Sequence, residues 1–171
     1  METARSASVV GFAVLAAGIL LATSAAVPHR PILVWNATAS APIGLYVGET
    51  ERVPTRGDLV LVRPPSEVAA FASGRGYLPP DVPLIKRIVG TSGDTICAHG
   101  DMISLNGSFL LKRLESDGRG RSLPRWSGCK RLGDTEIFLA MTDVSDSFDG
   151  RYFGPIPASD IIGRLQPLWT Q

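Results

Sequence analysis

The 171-residue chain is poor in histidine, in cysteine and in net charge, and each shortage argues against a class of function. Two histidines and two cysteines are too few for a convincing metal site built from these ligands. The net charge is +1, so no excess of positive charge favours binding to nucleic acid. We therefore expect a protein that uses no metal or other cofactor and has no nucleic-acid partner.

Charge is absent altogether from one stretch near the N-terminus, between Ser8 and Val27, which is rich in valine, leucine, isoleucine, alanine and glycine. Twenty helical residues rise about 30 Å, the thickness of a bilayer's hydrocarbon core. We expect residues 1–7 to be cytoplasmic, residues 8–27 to be a membrane anchor and residues 28–171 to form one periplasmic domain. Small residues at 22–26 leave a cleaved signal peptide as the alternative, and the remaining chain is exported in either case.

The two cysteines fit an exported protein. In an oxidising compartment Cys97 and Cys129 can pair, and closing a loop of this length stabilises the fold by about 3–4 kcal/mol in the chain-entropy model. Two unpaired, buried thiols are the alternative. No cluster of cysteine, histidine and asparagine indicates a cysteine nucleophile.

Short β-forming segments separated by glycine and proline predict a mainly β domain. A short helix is predicted over residues 66–73, with Ser66 as its N-cap and Gly74 just past its end. Asn106-Gly107 predicts a type I′ hairpin turn. Residues 74–83 are predicted to be a loop, and residues 115–130 a polar surface insertion. The predicted strands cover residues 59–63, 84–89, 95–98, 102–105, 108–111, 136–141 and 160–168.

Lys86 lies in the otherwise apolar strand segment and is a candidate general base. Because side chains alternate between the faces of a strand, Lys86 and Arg87 fall on opposite faces that are otherwise apolar. At least one of the two cations must therefore lie among apolar groups. Burial lowers the pKa of a lysine, whereas an arginine does not usefully lose its proton, so Lys86 is the better candidate. The alternative is that Lys86 extends outward from an edge strand.

Ser40 lies beside a turn shaped by proline and glycine and is a candidate nucleophile. Pro42 favours an extended backbone at the residue before it, and Gly44 relieves steric conflict nearby. Thr38, two residues before Ser40, puts a second hydroxyl on the same side of an extended segment. Thr38 would donate, together with the Ser40 backbone N–H, to a developing oxyanion. A serine in this setting is otherwise simply part of a turn.

A third cluster follows the strand predicted at residues 136–141. Asp149 stands two residues before Arg151 in a tight loop, which predicts a structural ion pair. Ser147, just before them, would hydrogen-bond the lysine amine and orient it. The alternative for this loop is a solvated polar turn.

These three clusters, in the order in which they follow one another along the chain, resemble the type I signal peptidase family. The resemblance is closest to its branch of conjugative-transfer peptidases. The Ser-x-Pro-x-Gly-x-Tyr element and the preceding hydroxyl residue match residues 38–46, and the lysine strand with its Gly-Asp turn matches residues 86–94. The C-terminal serine, aspartate and arginine element matches residues 147–154. Two positions depart from the family pattern. Met141-Thr142-Asp143 replaces a frequent Gly-Asp-Asn, and Gly150 replaces the usual serine between the aspartate and the arginine.

The resemblance implies coiled, mostly antiparallel sheets, hung from one N-terminal transmembrane or signal helix, with a catalytic groove near the membrane. It implies a serine endopeptidase without cofactor, in which Ser40 attacks, Lys86 is the base, and Thr38 with the Ser40 N–H holds the oxyanion. Ser147 would orient the lysine, and Asp149 and Arg151 would brace the loop.

The implied substrate is a secreted precursor with small residues before the cut, in this branch a conjugative pilin precursor whose product some members cyclise. The implied partners are the inner membrane and other proteins of the conjugation apparatus. A general signal peptidase and a non-catalytic periplasmic assembly protein are the alternatives. A self-cleaving repressor also uses a serine and a lysine, but the apolar N-terminal segment and the low charge argue against it.

Overall fold

The computed structural model describes residues 32–171. The predicted anchor at residues 8–27 and the cytoplasmic residues 1–7 lie outside this range. Within the described range, no helix is long and apolar enough to cross a membrane.

The described domain is built from two antiparallel sheets, which confirms the expected mainly β class. The larger sheet has the strand order β1-β2-β11-β3-β4-β9-β10, and the smaller one has the order β7-β6-β5-β8. Two short α-helices and one 3-10 turn, Ala158–Asp160, complete the fold. The strands are β1 (Ile32–Asn36), β2 (Gly44–Glu49), β3 (Leu59–Val62), β4 (Leu84–Gly90), β5 (Thr95–His99), β6 (Met102–Leu105), β7 (Ser108–Lys112), β8 (Gly128–Arg131), β9 (Glu136–Leu139), β10 (Ile156–Pro157) and β11 (Ile161–Thr170), and the helices are α1 (Ser66–Gly74) and α2 (Gly150–Phe153).

Strands β3 and β4 lie in the interior of the larger sheet and carry much of the core. All four residues of β3 are buried, because apolar clusters cover both faces of the sheet here. Strand β4 pairs with β3 on one side and with β9 on the other. It is therefore not an edge strand, so Lys86 does not extend outward from an edge of the sheet.

Most predicted elements are found within one or two residues of their predicted ends. The hairpin turn is also found, with φ angles of 52° at Asn106 and 81° at Gly107, the left-handed values that a type I′ turn needs. The predicted N-cap was wrong: Pro65 precedes the helix, no side chain caps it, and Ser66 and Gly74 both lie inside it. Strands β1, β2, β8 and β10 and helix α2 were not predicted, and each gains its order from pairing or loop contacts.

Cys97 and Cys129 face each other across β5 and β8 and are joined by a disulfide, with a Cα–Cα distance of 4.0 Å. Strand β8 begins at the end of the predicted surface insertion, whose other residues are mostly irregular. The disulfide therefore ties the C-terminal end of the insertion to the smaller sheet.

Candidate active site

The serine loop, residues 37–43, connects β1 to β2 and is wrapped around one buried asparagine side chain. Asn36 is the last residue of β1 and is only 4% exposed. Its Nδ2 donates to the carbonyl oxygens of Thr38, Ala41 and Pro42, each at 3.0 Å. Its Oδ1 accepts from the Thr38 backbone N–H at 3.0 Å and from the Thr38 hydroxyl at 2.8 Å. One amide thus fixes the backbone on both sides of Ser40.

Thr38 and Ser40 lie in a turn and not in the extended segment that the sequence analysis expected. Their hydroxyl oxygens are nevertheless 3.5 Å apart, because the turn folds the two side chains towards each other. The Thr38 hydroxyl hydrogen is directed at Asn36 in this arrangement. Thr38 would have to rotate its hydroxyl away from Asn36 before it could donate to an oxyanion.

The other residues of the serine motif shape the loop. The hydroxyl of Tyr46, which is 1% exposed, donates to the Pro42 carbonyl at 2.5 Å. Gly44 lies so close to β11 that a Cβ atom there would be 2.0 Å from the carbonyl oxygen of Trp169. A side chain at position 44 would therefore push the two strands apart just after the turn that carries Ser40.

Lys86 is the buried cation of β4, and Arg87 is the exposed one. Lys86 is 1% exposed and its Nζ donates to Ser147 Oγ at 3.0 Å, whereas the Arg87 guanidinium donates to the Gly57 carbonyl near the surface. Burial lowers the pKa of Lys86 to about 8, a fall that the charge of Asp149 opposes and the charge of Arg151 increases. About a tenth of the amine is then neutral at pH 7, far more than for an ordinary lysine.

Ser147 is held by a loop organised around a buried ion pair. Asp149 and Arg151 are 0% and 1% exposed, and Arg151 Nε donates to Asp149 Oδ1 at 2.8 Å. Asp149 also caps α2 by accepting the Arg151 backbone N–H at 3.1 Å. The guanidinium donates further to the backbone carbonyls of Met141, Val144 and Ser145. These bonds tie residues 141–151 together, and Ser147 is part of this segment.

Both departures from the family pattern have a physical account in this loop. At Gly150 a Cβ atom would lie 2.6 Å from the Leu139 carbonyl oxygen and 2.9 Å from the Phe138 ring. This backbone therefore has no room for the usual serine. Met141 contributes through its main chain, since its N–H donates to Asp149 Oδ2 at 3.0 Å and its carbonyl accepts from Arg151. A different side chain at position 141 leaves those bonds intact.

Ser40, Thr38 and Lys86 line one cavity of about 300 Å³. Ser147 lies directly behind Lys86, so the structure brings the three predicted clusters together in one place. A second cavity, of about 440 Å³, is also lined by Thr38 and Ser40 but not by Lys86. Within residues 32–171, no group of three or more histidine, cysteine, aspartate or glutamate side chains is arranged to hold a metal ion.

Sequence reasoning missed Asn36 and the wall of the first cavity formed by residues 114–123. An asparagine at the end of a strand, two residues before a threonine, is a known turn-forming pattern and could have indicated the first. No local pattern marks the wall, because its contacts come from residues far apart in the chain, such as Tyr77 and Asp117.

Comparison with known proteins shows the family to which this chain belongs. The sequence model of the family described as signal peptidase, peptidase S26, matches residues 3–169. The chain therefore belongs to this peptidase family. It is also 37% identical over 166 residues to a plasmid transfer protein TraF of Escherichia coli, with 90% of each chain covered.

Other similar proteins fall into two groups. A probable conjugal transfer protein TraF of Sinorhizobium fredii is 34% identical over 148 residues, covering 79% of this chain and 76% of the relative. Signal peptidase I V of Bacillus subtilis is 33% identical over 92 residues, which cover 48% of this chain and 55% of the relative. Among solved structures, a signal peptidase I of Enterococcus faecalis aligns with a TM-score of 0.40 and 19% identity, covering 68% of this chain and all of that chain.

Proposed function

We propose that this protein is a membrane-associated serine endopeptidase whose nucleophile is Ser40 and whose general base is Lys86. The observation that carries the proposal is the burial of Lys86 in a cavity that Ser40 also lines. A lysine with a pKa of about 8 has a far larger neutral fraction at neutral pH than an ordinary lysine, and only the neutral amine can accept the serine proton. Membership of a peptidase family supplies the reaction class.

The proposed reaction has two stages. The Ser40 Oγ attacks the scissile carbonyl while the neutral Lys86 amine takes the hydroxyl proton, and Lys86 then passes that proton to the leaving amine. In the second stage water attacks the acyl carbonyl while Lys86 takes its proton, and Lys86 returns that proton to Ser40 Oγ as the ester bond breaks and the acid product is released. The Ser40 backbone N–H and the rotated Thr38 hydroxyl stabilise the oxyanion in both stages.

Ser147, Asp149 and Arg151 act on the base and not on the substrate. The Ser147 hydroxyl accepts a hydrogen bond from the Lys86 amine and thereby positions it. The buried ion pair between Asp149 and Arg151 fixes the backbone that carries Ser147. Catalysis benefits because a base that is already positioned loses little freedom in the transition state.

The proposed substrate is a conjugative pilin precursor with small residues just before the cut. The support is similarity over nine tenths of the chain to a protein named for plasmid transfer. The proposed location is the periplasmic face of the inner membrane, with residues 8–27 as anchor or signal segment and other conjugation proteins as partners. Cyclisation of the product would require the pilin amine to replace water in the second stage.

The test is processing of the pilin precursor in cells that express either the wild-type chain or Ser40→Ala and contain no other peptidase of this family. We expect the mature form with the wild type and only the precursor with the variant. The product mass distinguishes a linear from a cyclic pilin, since cyclisation removes one water. Unchanged processing by Ser40→Ala would refute the catalytic role and favour a non-catalytic assembly protein.

A general signal peptidase is the second candidate, because the chain also resembles a signal peptidase I of Bacillus subtilis over 48% of its length. The two candidates differ in substrate range. Cleavage of several unrelated secretory precursors at rates similar to that of the pilin precursor would favour the general peptidase.

A further inference from the structure

Two cavities meet at Ser40, and only one of them contains the proposed base. The base-side cavity is the one of about 300 Å³ that Lys86 lines. The opposite cavity is the one of about 440 Å³, and it lies along β1 and the loop before β4, where Trp35 and Val82 line it. A substrate cleaved by Ser40 can place the residues on the two sides of its scissile bond in the two cavities, because Ser40 lines both.

The position of Lys86 determines in which direction the substrate chain runs through the two cavities, and this inference rests on the proposed function. A base that takes the Ser40 proton and delivers it to the leaving amine must lie on the leaving-group side of the scissile carbonyl. Residues that follow the cut therefore enter the base-side cavity, and residues that precede it occupy the opposite cavity.

A folded-back segment, residues 114–123, forms one wall of the base-side cavity, and we call it the flap. Ser116 and Ser122 pair as an antiparallel bridge within it. The Tyr77 hydroxyl, from the loop after α1, donates to Asp117 at 2.6 Å. Arg121 binds the same carboxylate through Nε at 2.8 Å and the Arg75 carbonyl through Nη2 at 3.0 Å. The flap is thus fastened to the C-terminal end of α1 and the loop that follows it.

The base-side cavity is largely apolar once these bonds are counted. Leu114 and Leu123 of the flap face it together with Leu78 and Phe148. The Asp117 carboxylate is already used by Tyr77 and Arg121, and Lys86 by Ser147. A cavity of this volume is about 7 Å across, which corresponds to about two extended residues at ~3.3 Å each.

We infer that the base-side cavity is a binding site for the leaving segment of the substrate, and that it selects an apolar side chain within the first two residues after the cut. Leu123 and Phe148 are the residues that determine this preference. The flap fixes the size of the site because its bonds to Tyr77 and Arg75 hold it in place.

The test uses the full-length chain in detergent and a set of synthetic peptides. All peptides have the same sequence before the cut, which ends in alanine, and they differ only after it. A single leucine is moved through the first three positions after the cut, and at each position it is replaced by glycine, aspartate or lysine. We expect leucine at one of the first two positions to raise kcat/KM at least about tenfold over glycine, as hydrophobic pockets do for a side chain of this size.

The variant Leu123→Ala should reduce the leucine preference to less than about threefold, since the change removes three carbon atoms from the wall of the cavity and a roomier cavity discriminates less. Phe109→Ala is the matched control, because Phe109 is 63% exposed on β7 and lines neither cavity. If Leu123→Ala does not fold, Tyr77→Phe replaces it. This change keeps the ring and removes the hydroxyl that holds Asp117, so the same loss of preference is expected.

The outcomes separate this inference from the proposed function. If the wild type cleaves none of the peptides and leaves the pilin precursor intact, the proposed function fails and the inference fails with it. If the wild type cleaves all peptides at equal rates, only the inference fails. A preference for lysine would overturn the apolar site and indicate Asp146, the exposed carboxylate at the cavity's edge.

Discussion

Lys86 Nζ donates to Ser147 Oγ over 3.0 Å, and both side chains are 1% exposed. The two residues are 61 positions apart in the sequence. An interior strand and a loop held by a buried ion pair bring them together. The amine has no other hydrogen-bond partner of its own among the described side chains, so its position depends on this one hydroxyl.

Replacing Ser147 with alanine should therefore reduce kcat and leave KM nearly unchanged. The loss of a buried partner costs about 1–3 kcal/mol, which corresponds to a decrease of about 5- to 150-fold in rate. Ser145→Ala is the matched control, since Ser145 is exposed in the same loop and contributes only its carbonyl oxygen. A Ser147→Ala enzyme with wild-type kcat would remove Ser147 from its positioning role.

The activity should rise with pH through the pKa of Lys86. With a pKa of about 8, only about a tenth of Lys86 is neutral at pH 7, and neutral amine is the form that accepts a proton. The plot of kcat/KM against pH should therefore climb tenfold per unit below pH 8 and level off above it. Lys86→Arg should be inactive throughout, because the guanidinium stays charged. A flat profile between pH 6 and 9 would contradict this assignment of the base.

The low pKa of Lys86 also means that the buried amine lowers the free energy of unfolding at neutral pH. The folded-state pKa of about 8 is below the ordinary 10.5, so the unfolded chain binds the extra proton between these values and the free energy of unfolding rises with pH there. The rise should total about 3 kcal/mol, at 1.36 kcal/mol per pKa unit. Lys86→Met should abolish this pH dependence and be the more stable protein at pH 7. Urea unfolding of the wild type and of Lys86→Met at pH 7 and pH 10 measures the pH dependence and the difference in stability. If Lys86→Met is less stable than the wild type at pH 7, burying the amine does not destabilise the fold.

The sequence predicted which residues lie in the site, but it did not predict the conformation of the backbone around Ser40. Alternation along one strand restricted the buried cation to Lys86 or Arg87, and pairing with β3 and β9 is what buries Lys86. The chain around Ser40 was expected to be extended but is a turn, because the Asn36 side chain binds three of its carbonyls. Such a bond set depends on the packing around Asn36, and no periodicity in the sequence reveals it.

A strand or helix was predictable where the sequence has a clear apolar pattern. It was not predictable where tertiary contacts alone create the element. Strand β4 has strong apolar patterning and was found at its predicted place. Helix α2 has four residues and depends on Asp149 as its cap, and β10 has two residues held by β9. Neither of these two elements has a sequence pattern of its own that could have been detected.

Breaking the buried ion pair should destabilise the domain far more than breaking a surface pair. Asp149→Asn leaves Arg151 charged and without its carboxylate in the interior, which costs about 3–5 kcal/mol. The matched control is Lys130→Met, since Lys130 pairs with Glu136 at 2.5 Å but is half exposed, and such pairs contribute about 0–1 kcal/mol. Denaturant titration compares the two. Equal losses would mean that the buried pair is not what holds residues 141–151.

Restoring the family's serine at position 150 should harm this protein. The new Cβ would approach the Leu139 carbonyl oxygen to 2.6 Å, and a backbone atom cannot move aside as a flexible side chain can. We expect Gly150→Ser to destabilise the domain by about 1–3 kcal/mol through overpacking, and to lower kcat because the shift reaches Ser147 through the same loop. Gly74→Ala is the control, since a Cβ there meets nothing within 4 Å and the position lies in a helix. If Gly150→Ser is as stable and as active as the wild type, then the loop is able to relax. The rigidity attributed to the ion pair of Asp149 and Arg151 would then be overstated.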